Sequence, residues 1–206
     1  MSLNIVDHPL VHHYLTVLRR SDTGPQLFRQ TTRQLGHLLI AEATRDLAVF
    51  EIEIETPLEL TTGYQISKRV VAVPVLRAGL GLLDAALDAI PDVRVGYVGL
   101  ARNEETAEPE TYYEKLPDLA GAKVLILEPM LATGGSLSDA VRRVKEKGAT
   151  DVTAICVVVA PEGAERMERD HTGVEIVTAG LDRMLNEHFY IVPGLGDMGD
   201  RLFGTF

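Results

Sequence analysis

The sequence predicts an α/β fold: a mostly parallel, twisted sheet flanked by helices. From residue 69 onward, apolar runs of strand length alternate with stretches of helical periodicity, the pattern of strands joined by crossover helices. Residues 124–127 are four consecutive aliphatics, as in a strand covered on both faces. With 206 residues and 46% hydrophobic content, the chain can bury a substantial core as one domain over 1–206.

The amino-terminal elements precede this alternation. Helices are expected over residues 10–19 and 24–46, where leucines recur at near-helical spacing. Residues 49–55 alternate with period two, and 58–66 are expected to return antiparallel, which gives a β-hairpin arm at about 48–66. The acidic face of that arm is either an ordinary solvent-exposed surface or part of a functional contact, and the pattern alone does not decide between the two.

The later elements alternate between strand and helix. From residue 70 onward the predicted strands are 70–75, 94–100, 123–127, 151–159 and 174–178, and the predicted helices are 79–90, 136–147 and 164–169. Residues 103–120 form the one long irregular stretch, and loops of that length are usually functional. We expect this stretch to be a flexible cover over a site.

The most informative segment is 124–136, in which the buried run enters an acid and then a small-residue loop before a helix. Glu128 is the first polar group at the carboxyl end of the strand, where open α/β sheets bind ligands. The loop brings backbone N–H groups to one point, which suits a phosphate monoester. The residues that supply these groups are Ala132, Thr133, Gly134, Gly135 and Ser136, and Pro129, Met130 and Leu131 lead from Glu128 into them.

Neither standard nucleotide fingerprint fits this loop, which also lacks a lysine for a β/γ-phosphate. An acid in front of the loop indicates a ribose 5-phosphate, with Glu128 accepting from the 2′- and 3′-hydroxyls. The alternative is an ordinary glycine-containing turn between strand and helix, which is common in α/β folds.

A second loop follows the strand 70–75 and carries an arginine before small residues. Arg77 offers a fork of donors that matches phosphate oxygens, and N–H groups around Ala78 and Gly79 can complete a diphosphate site. A dinucleotide site is the competing interpretation, because Gly79-x-Gly81 follows a strand, but Asp84 stands where that fingerprint has Gly or Ala.

Arg102 opens the long irregular stretch after the strand that ends near residue 100. A cation in a mobile cover can stabilise a leaving diphosphate more than the ground state, which would make the contact catalytic. The alternative is a surface arginine paired with Glu104 or Glu105.

Charge and cysteine content argue against several function classes. The net charge of −10 makes nucleic acid and anionic membranes unfavourable partners. No apolar run approaches the roughly 20 residues of a membrane span, and a signal-peptide core is lacking, so a cytoplasmic location is expected.

Cys156 lies in an apolar strand pattern and is expected in the core. The six histidines show no metal-ligand spacing, so no direct metal site on the protein is expected.

The carboxyl-terminal segment satisfies Gly-x-Gly-x-x-Gly at residues 194–199. Only seven residues follow, too few for the helix and second strand of a dinucleotide-binding unit. With Pro193 in front, the segment is better explained as a tight loop that presents backbone groups to a flat polar ligand, or as a buried turn. Backbone N–H and C=O groups of such a loop can match a ligand with alternating N–H and C=O edges without any charged side chain.

These segments together resemble the type I phosphoribosyltransferases, and residues 129–136 resemble the loop of the uracil-specific members. Further segments agree in the family's order and near its spacing: 8–10, 42–47, 74–80, 112–117 and 190–197. The resemblance implies transfer of the 5-phosphoribosyl group from its 1-diphosphate to N1 of uracil, giving UMP and diphosphate in pyrimidine salvage. It also implies Mg²⁺ held mainly by the substrate, with Asp197 in contact through water.

The resemblance assigns residues and partners as well. It implies catalytic roles for Arg102 and Asp197, and a strained Leu76–Arg77 peptide bond in the diphosphate loop. It implies a homodimer or homotetramer with the arm in subunit contact, and it raises GTP as an activator that the sequence does not settle. A base-binding hood is implied at about 188–206, with uracil contacts from Tyr190, Ile191, Gly196, Asp197 and Met198.

The sequence departs from the family pattern at three positions. Glu128 stands where Asp is usual, Met198 where a small residue is usual, and Phe206 where lysine is usual. If the Met198 side chain points into the base pocket, it changes the room around the pyrimidine. Two alternatives therefore stay open: a phosphoribosyltransferase for another base, and a non-catalytic regulator that binds phosphoribosyl diphosphate.

Overall fold

The computed structural model describes residues 2–102 and 109–205 of the chain. In chain order the elements are β1 (Ser2–Ile5), α1 (Pro9–Arg19), α2 (Pro25–Ala43), β2 (Val49–Glu55), β3 (Leu60–Ile66), β4 (Val70–Leu76), α3 (Leu80–Ala89), β5 (Arg94–Val95), β6 (Tyr97–Arg102), β7 (Pro109–Lys115), β8 (Lys123–Leu127), β9 (Met130–Leu131), α4 (Gly135–Glu146), β10 (Asp151–Cys156), β11 (Val158–Val159), α5 (Pro161–Asp170), β12 (Glu175–Thr178), β13 (Met184–Leu185), β14 (Ile191–Val192) and α6 (Met198–Phe203).

The central sheet confirms the predicted fold class. Its strand order is β1-β12-β10-β8-β4-β6-β7, with β5 beside β4. The pairs from β1 to β6 are parallel, and β7 runs antiparallel to β6 at one edge. Strand β8 lies between β4 and β10, so its carboxyl end opens between two parallel neighbours, the position at which open α/β sheets bind ligands.

Helices cover both faces of the sheet. Because side chains of a strand alternate between the two faces, one strand contributes to two separate cores. In β8, Leu125 and Leu127 belong to the core shared with α1, α2, α3 and α6, whereas Val124 and Ile126 belong to the core under α4 and α5. All four are fully buried, and each contributes about 1.5–3 kcal/mol relative to exposure. The predicted doubly covered strand is confirmed.

The structure differs from the sequence prediction in several places. The short strands β1, β9, β13 and β14 were not predicted, and the expected strand 94–100 is divided into β5 and β6. The expected strand 151–159 is two strands, β10 and β11, because the N–H groups of Val157 and Val158 donate to the Pro129 carbonyl at 2.8 and 3.1 Å instead of continuing the ladder. The stretch 103–120, expected to be irregular, contains β7. The segment after Asp197 forms the six-residue helix α6, although no helix was expected there.

The predicted hairpin arm is confirmed as an antiparallel pair in which Val49 lies opposite Ile66 and Glu55 opposite Leu60. Its Thr56 hydroxyl accepts from two N–H groups of the connecting turn. The arm keeps large apolar side chains in solvent, of which Leu58 at its tip is 95% exposed. Exposed apolar side chains gathered on one element in this way are uncommon on monomeric proteins.

Candidate active site

Glu128 lies at the floor of the site, directly after β8. Its N–H donates to the Ile155 carbonyl at 3.1 Å, which fixes the backbone to the neighbouring strand. The side chain is buried, and its Oε2 atom has no hydrogen-bond partner among the described residues. Burial raises the pKa of this carboxyl from 4.5 to about 8, because an apolar surrounding disfavours the charged form.

The phosphate loop ends in a group of free backbone donors. Gly134, at the N-cap of α4, has φ +80° and ψ −2°, a conformation open to glycine. No acceptor among the described residues takes the N–H groups of residues 134–137, the four that a helix start leaves unpaired. Thr133 is half-buried and Ser136 is exposed beside them. These donors, together with the helix dipole, form an anion site.

The first part of the same loop supports it instead of lining it. The Pro129 carbonyl is used by β11, and the Leu131 side chain is 1% exposed in the core. Met130 and Leu131 form β9, which pairs with β11, and the Leu131 carbonyl accepts from Ala160 N–H at 2.8 Å. The expectation that residues 129–131 contact substrate therefore holds at most for their backbone edges.

The sequence analysis missed Gly163, on which the phosphate loop rests. A Cβ at this position would lie 2.4 Å from the Ala132 carbonyl oxygen, and a Cβ at Gly134 would lie 3.1 Å from the Gly163 carbonyl oxygen. The first turn of α5 therefore packs directly on the loop, and only glycine fits there. A glycine just inside the first turn of a helix is the signal that could have found it.

The diphosphate loop meets the end of β8 at Gly79. A Cβ on Gly79 would lie 2.3 Å from the Leu127 carbonyl oxygen and 2.6 Å from the Val75 backbone nitrogen. This contact brings the loop beside the residue that precedes Glu128. The Leu76–Arg77 peptide bond is cis, at the position that the family resemblance singled out.

The donors of this loop differ from the prediction in one respect. The Gly79 N–H donates to the Val75 carbonyl at 2.8 Å, so it is not available to a ligand, and Gly79 serves through its lack of a side chain. The Ala78 N–H has no acceptor among the described residues. The half-exposed Arg77 guanidinium lies 3.4 Å from both the Asp200 carboxylate and the Thr205 hydroxyl, which links this loop to α6.

The carboxyl-terminal loop is held in a glycine-dependent shape. The Val192–Pro193 bond is cis, and Gly194 and Gly196 have φ of +60° and +80°. A Cβ on Gly194 would lie 2.1 Å from the Ile191 carbonyl oxygen, so the turn closes on its own first residue. This is the tight loop that the sequence predicted.

Two further residues hold this loop and were missed by the sequence analysis. The carboxylate of the buried Asp182 accepts from the Gly194 N–H at 2.9 Å and pairs with Arg19 through two bonds of 2.9 and 2.5 Å. Arg19 also donates to the Gly194 carbonyl at 2.8 Å. No sequence signal connects residues so far apart along the chain, because only the fold brings them together.

The predicted base-binding residues differ in exposure. Tyr190 is 51% exposed, Ile191 is buried, and Gly196 and Asp197 are exposed. The Asp197 carboxylate caps α6 by accepting from the Asp200 N–H at 2.9 Å. The Met198 side chain is 1% exposed within the core, so it does not point into a base pocket, and the expected change in room around the pyrimidine does not arise.

Two predictions concern groups at the edge of what the structure describes. Arg102 ends β6, but its side chain lies outside the described part, as do residues 103–108 of the predicted cover.

The described residues contain no group of three or more His, Cys, Asp or Glu side chains arranged to hold a metal ion. Within that same part of the chain, no helix has the length and hydropathy of a membrane span.

A cavity of about 530 Å³ lies behind the carboxyl-terminal loop and not between the two phosphate-binding loops. It is lined by the connection between α1 and α2, by residues 193–196, and by Arg19 and Arg201. Glu128, Arg77 and the N-terminus of α4 are not part of the lining of this cavity.

Comparison with known proteins assigns the family. The family model described as uracil phosphoribosyltransferase matches residues 5–205. The chain belongs to the uracil phosphoribosyltransferase family. A curated relative of that name from Fervidobacterium nodosum is 49% identical over 205 residues, covering 98% of this chain and 99% of the relative. Another from Streptomyces griseus is 51% identical over 209 residues, covering 100% of this chain and 99% of the relative.

Solved structures agree with the family membership. A protein from Aquifex aeolicus superimposes with a TM-score of 0.93 at 40% identity, covering 98% of this chain and 97% of that one. A hypoxanthine-guanine phosphoribosyltransferase from Bacillus anthracis gives a TM-score of 0.53 at 12% identity, covering 77% and 80% of the two chains. This second likeness shows that the wider phosphoribosyltransferase fold is shared.

Proposed function

We propose that this chain transfers the 5-phosphoribosyl group from 5-phospho-α-D-ribose 1-diphosphate to N1 of uracil, giving UMP and diphosphate. The observation that carries the proposal is the buried, unpartnered Oε2 atom of Glu128 between two anion-binding loops. Leaving such an atom without a partner costs about 1–3 kcal/mol. A ribose diol bound there removes that cost by hydrogen bonding to the carboxyl group.

The 5′-phosphate binds at the start of α4. The free N–H groups of residues 134–137 supply the donors, and the half-buried Thr133 and exposed Ser136 hydroxyls lie beside them. Because these donors are fixed by the packing of Gly134 against Gly163, they need no reorganisation when the anion arrives. The ribose then lies over Glu128, one loop length from the phosphate.

The diphosphate binds at the loop after β4. The Arg77 guanidinium and the Ala78 N–H face it, and Gly79 allows the loop to lie against β8. As the bond from C1 to the diphosphate breaks, negative charge grows on the leaving group and C1 becomes oxocarbenium-like. We assign Arg102 to stabilise that growing charge, since β6 ends next to β4 in the sheet.

Mg²⁺ is the cofactor that this chemistry implies, because an ion bound with the substrate would neutralise charge on the diphosphate leaving group. The donor set fits an ion carried by the substrate, because one exposed carboxylate, Asp197, lies near the Arg77 loop. Gly199 lies between the two: a Cβ added to it would be 3.3 Å from Asp197 Oδ1 and 3.8 Å from Arg77 Nη2. Asp197 would contact such an ion through water.

The base is recognised by backbone groups of the carboxyl-terminal loop. Amide and carbonyl groups of Ile191, Gly196 and Met198 match the N–H and C=O edges of uracil, and Tyr190 covers the ring. With the Met198 side chain in the core, backbone contact is the form of recognition left to this residue.

Three finer features belong to the same proposal. The apolar hairpin arm supports a homodimer or homotetramer, which light scattering on the purified protein measures. GTP activation and a cytoplasmic location rest on the family resemblance, and they are tested by adding GTP to the assay and by fractionating cells.

The test is to mix purified protein with phosphoribosyl diphosphate, Mg²⁺ and one free base at a time. We expect UMP and diphosphate in equal amounts with uracil. Product with another base would show that phosphoribosyl transfer is correct but that the assignment of uracil to the carboxyl-terminal loop is wrong. Binding of phosphoribosyl diphosphate without any product would favour a regulator.

A further inference from the structure

Arg201 lies behind the base-binding loop and joins it to the amino-terminal helices. From α6 its guanidinium donates to the Leu195 carbonyl at 2.7 Å, inside the loop. The same group donates to the carbonyls of Leu18, Arg20 (2.6 Å) and Thr23 (3.4 Å). One side chain thus connects the loop and α6 to the end of α1 and the connection that follows it, which lie at the other end of the chain.

The bonds of Arg201 are unusual in that all its recorded acceptors are backbone carbonyls. Among the described residues, no carboxylate lies within salt-bridge distance of Arg201, and its guanidinium lies over the Phe28 ring, 4.4 Å from the centroid. Charged donors form stronger hydrogen bonds than neutral ones, and a ring face adds cation–π attraction. The guanidinium is therefore held firmly between the loop and α2.

The contact to Leu195 controls the direction of the next amide. In a trans peptide the C=O of one residue and the N–H of the next lie in one plane and point in opposite directions. Fixing the Leu195 carbonyl toward Arg201 therefore turns the Gly196 N–H away from it, out of the cavity behind the loop. Gly196 at φ +80° has little intrinsic preference to hold that orientation by itself.

We propose that Arg201 is a positioning residue that aims the Gly196 N–H at the base without touching substrate. The inference rests on the proposed function, since it needs a base at this loop. It is separate from the contacts of the phosphate loop, because none of the acceptors of Arg201 among the described residues belongs to that loop. The proposal predicts that loss of Arg201 raises KM for uracil and leaves KM for phosphoribosyl diphosphate nearly unchanged.

The kinetic test compares Arg201→Ala with Arg29→Ala. Arg29 is a matched control, because it donates to one backbone carbonyl of α6, Leu202, at 2.7 Å and, within the part of the chain that the structure describes, has no bond to the loop. For Arg201→Ala we expect KM for uracil to rise about tenfold or more, as for a lost charge-assisted hydrogen bond, with KM for phosphoribosyl diphosphate changed less than about twofold. Arg29→Ala should leave both KM values near wild type.

The cavity of about 530 Å³ that Arg201 lines allows a chemical rescue. Millimolar guanidinium chloride should enter the space left in Arg201→Ala and lower KM for uracil toward wild type, whereas equal urea should not. No rescue, together with KM values for both substrates that rise in parallel, would overturn the proposal. Arg201→Lys, which keeps the charge but loses the fork, should give an intermediate KM.

Hydrogen exchange provides a readout that does not depend on turnover. In Arg201→Ala, or in Arg201→Lys if the alanine variant fails to fold, peptides covering 194–198 should exchange faster, and those covering 134–137 should not change. Unchanged exchange at 194–198 would contradict the proposed contact. Absence of uracil turnover in the wild-type protein would overturn the proposed function alone, and the exchange result would still decide the role of Arg201.

Discussion

The two halves of the site are built by different means. The phosphate loop is shaped by backbone contacts: a strand end, a helix start, and the glycine contact with α5. The base loop is shaped by charged side chains that lie outside it: Arg19 from the amino-terminal helix α1, and Asp182 and Arg201 from the segments before and after the loop. An anion site can be made from helix-start amides wherever a parallel sheet ends. A site for a flat neutral base needs each peptide group aimed individually.

The first prediction tests how rigidly the phosphate half is packed. Gly79→Ala places a Cβ 2.3 Å from the Leu127 carbonyl oxygen, so the diphosphate loop and β8 must separate. We expect a loss of about 3 kcal/mol or more in the free energy of unfolding and loss of turnover. Denaturant unfolding and the UMP assay measure these. Gly24→Ala is the control, because nothing lies within 4 Å of its added Cβ; equal behaviour of the two variants would refute the packing.

The second prediction concerns the buried Glu128 carboxyl group of the phosphate half. The folded Glu128 carboxyl has a pKa of about 8, above its usual 4.5, so the folded protein retains a proton that the unfolded chain loses between those pH values. The stability contribution is therefore present at low pH and lost as pH rises from about 4.5 to 8. At about 1.36 kcal/mol per pH unit, the loss is at most about 5 kcal/mol.

Glu128→Gln removes this titration. The variant should gain stability relative to wild type above pH 8. Its amide nitrogen replaces one carboxyl oxygen and cannot accept from the ribose hydroxyls, which should raise KM for phosphoribosyl diphosphate. Thermal unfolding from pH 5 to 9 and steady-state kinetics check the two effects. Parallel stability curves for variant and wild type across that range would contradict the raised pKa.

The third prediction tests the base half. Asp182→Asn weakens the buried pair with Arg19 and the bond to the Gly194 N–H. Breaking a buried ion pair costs about 3–5 kcal/mol, and asparagine, which keeps one acceptor, should cost about half of that. KM for uracil should rise severalfold with KM for phosphoribosyl diphosphate little changed. Asp22→Asn, on an exposed pair with Arg20, is the control and should match wild type.

The smallest expected effect comes from the support of α4. The Ser138 hydroxyl lies 3.2 Å from the Asp170 carboxylate and 3.0 Å from His171 Nε2, which ties α4 to α5. Ser138→Ala should cost about 1 kcal/mol of stability and raise KM for phosphoribosyl diphosphate by no more than about threefold. A larger rise in KM for uracil would show that the two halves are not independent.

The same contrast explains what the sequence could predict. The strand 123–127, Glu128 and the loop 132–136 are local features, since strand pattern, loop composition and helix start adjoin along the chain. No sequence pattern marked Asp182 or Arg201 as part of the site. Their roles depend on contacts with the amino-terminal helix α1, more than a hundred positions away, and on how the nearby loop turns back toward them. The backbone use of Gly79 was predicted wrongly, since whether an N–H is free depends on how the loop closes on Val75.

The family resemblance extended the prediction to positions where physical patterns were silent. It pointed to the Leu76–Arg77 peptide bond, which is cis in the structure. It could not show that the Met198 side chain enters the core, because a single departure from a pattern does not reveal which way a side chain turns.

Product analysis from a mixture of bases is the most direct test of how the two halves work together. The protein is incubated with Mg²⁺, phosphoribosyl diphosphate and equal concentrations of uracil, hypoxanthine, guanine and adenine, and the nucleotides are identified by mass spectrometry. Formation of UMP alone, with one diphosphate released per UMP, is the expected result. A purine nucleotide as the main product, or consumption of phosphoribosyl diphosphate without any nucleotide, would contradict it.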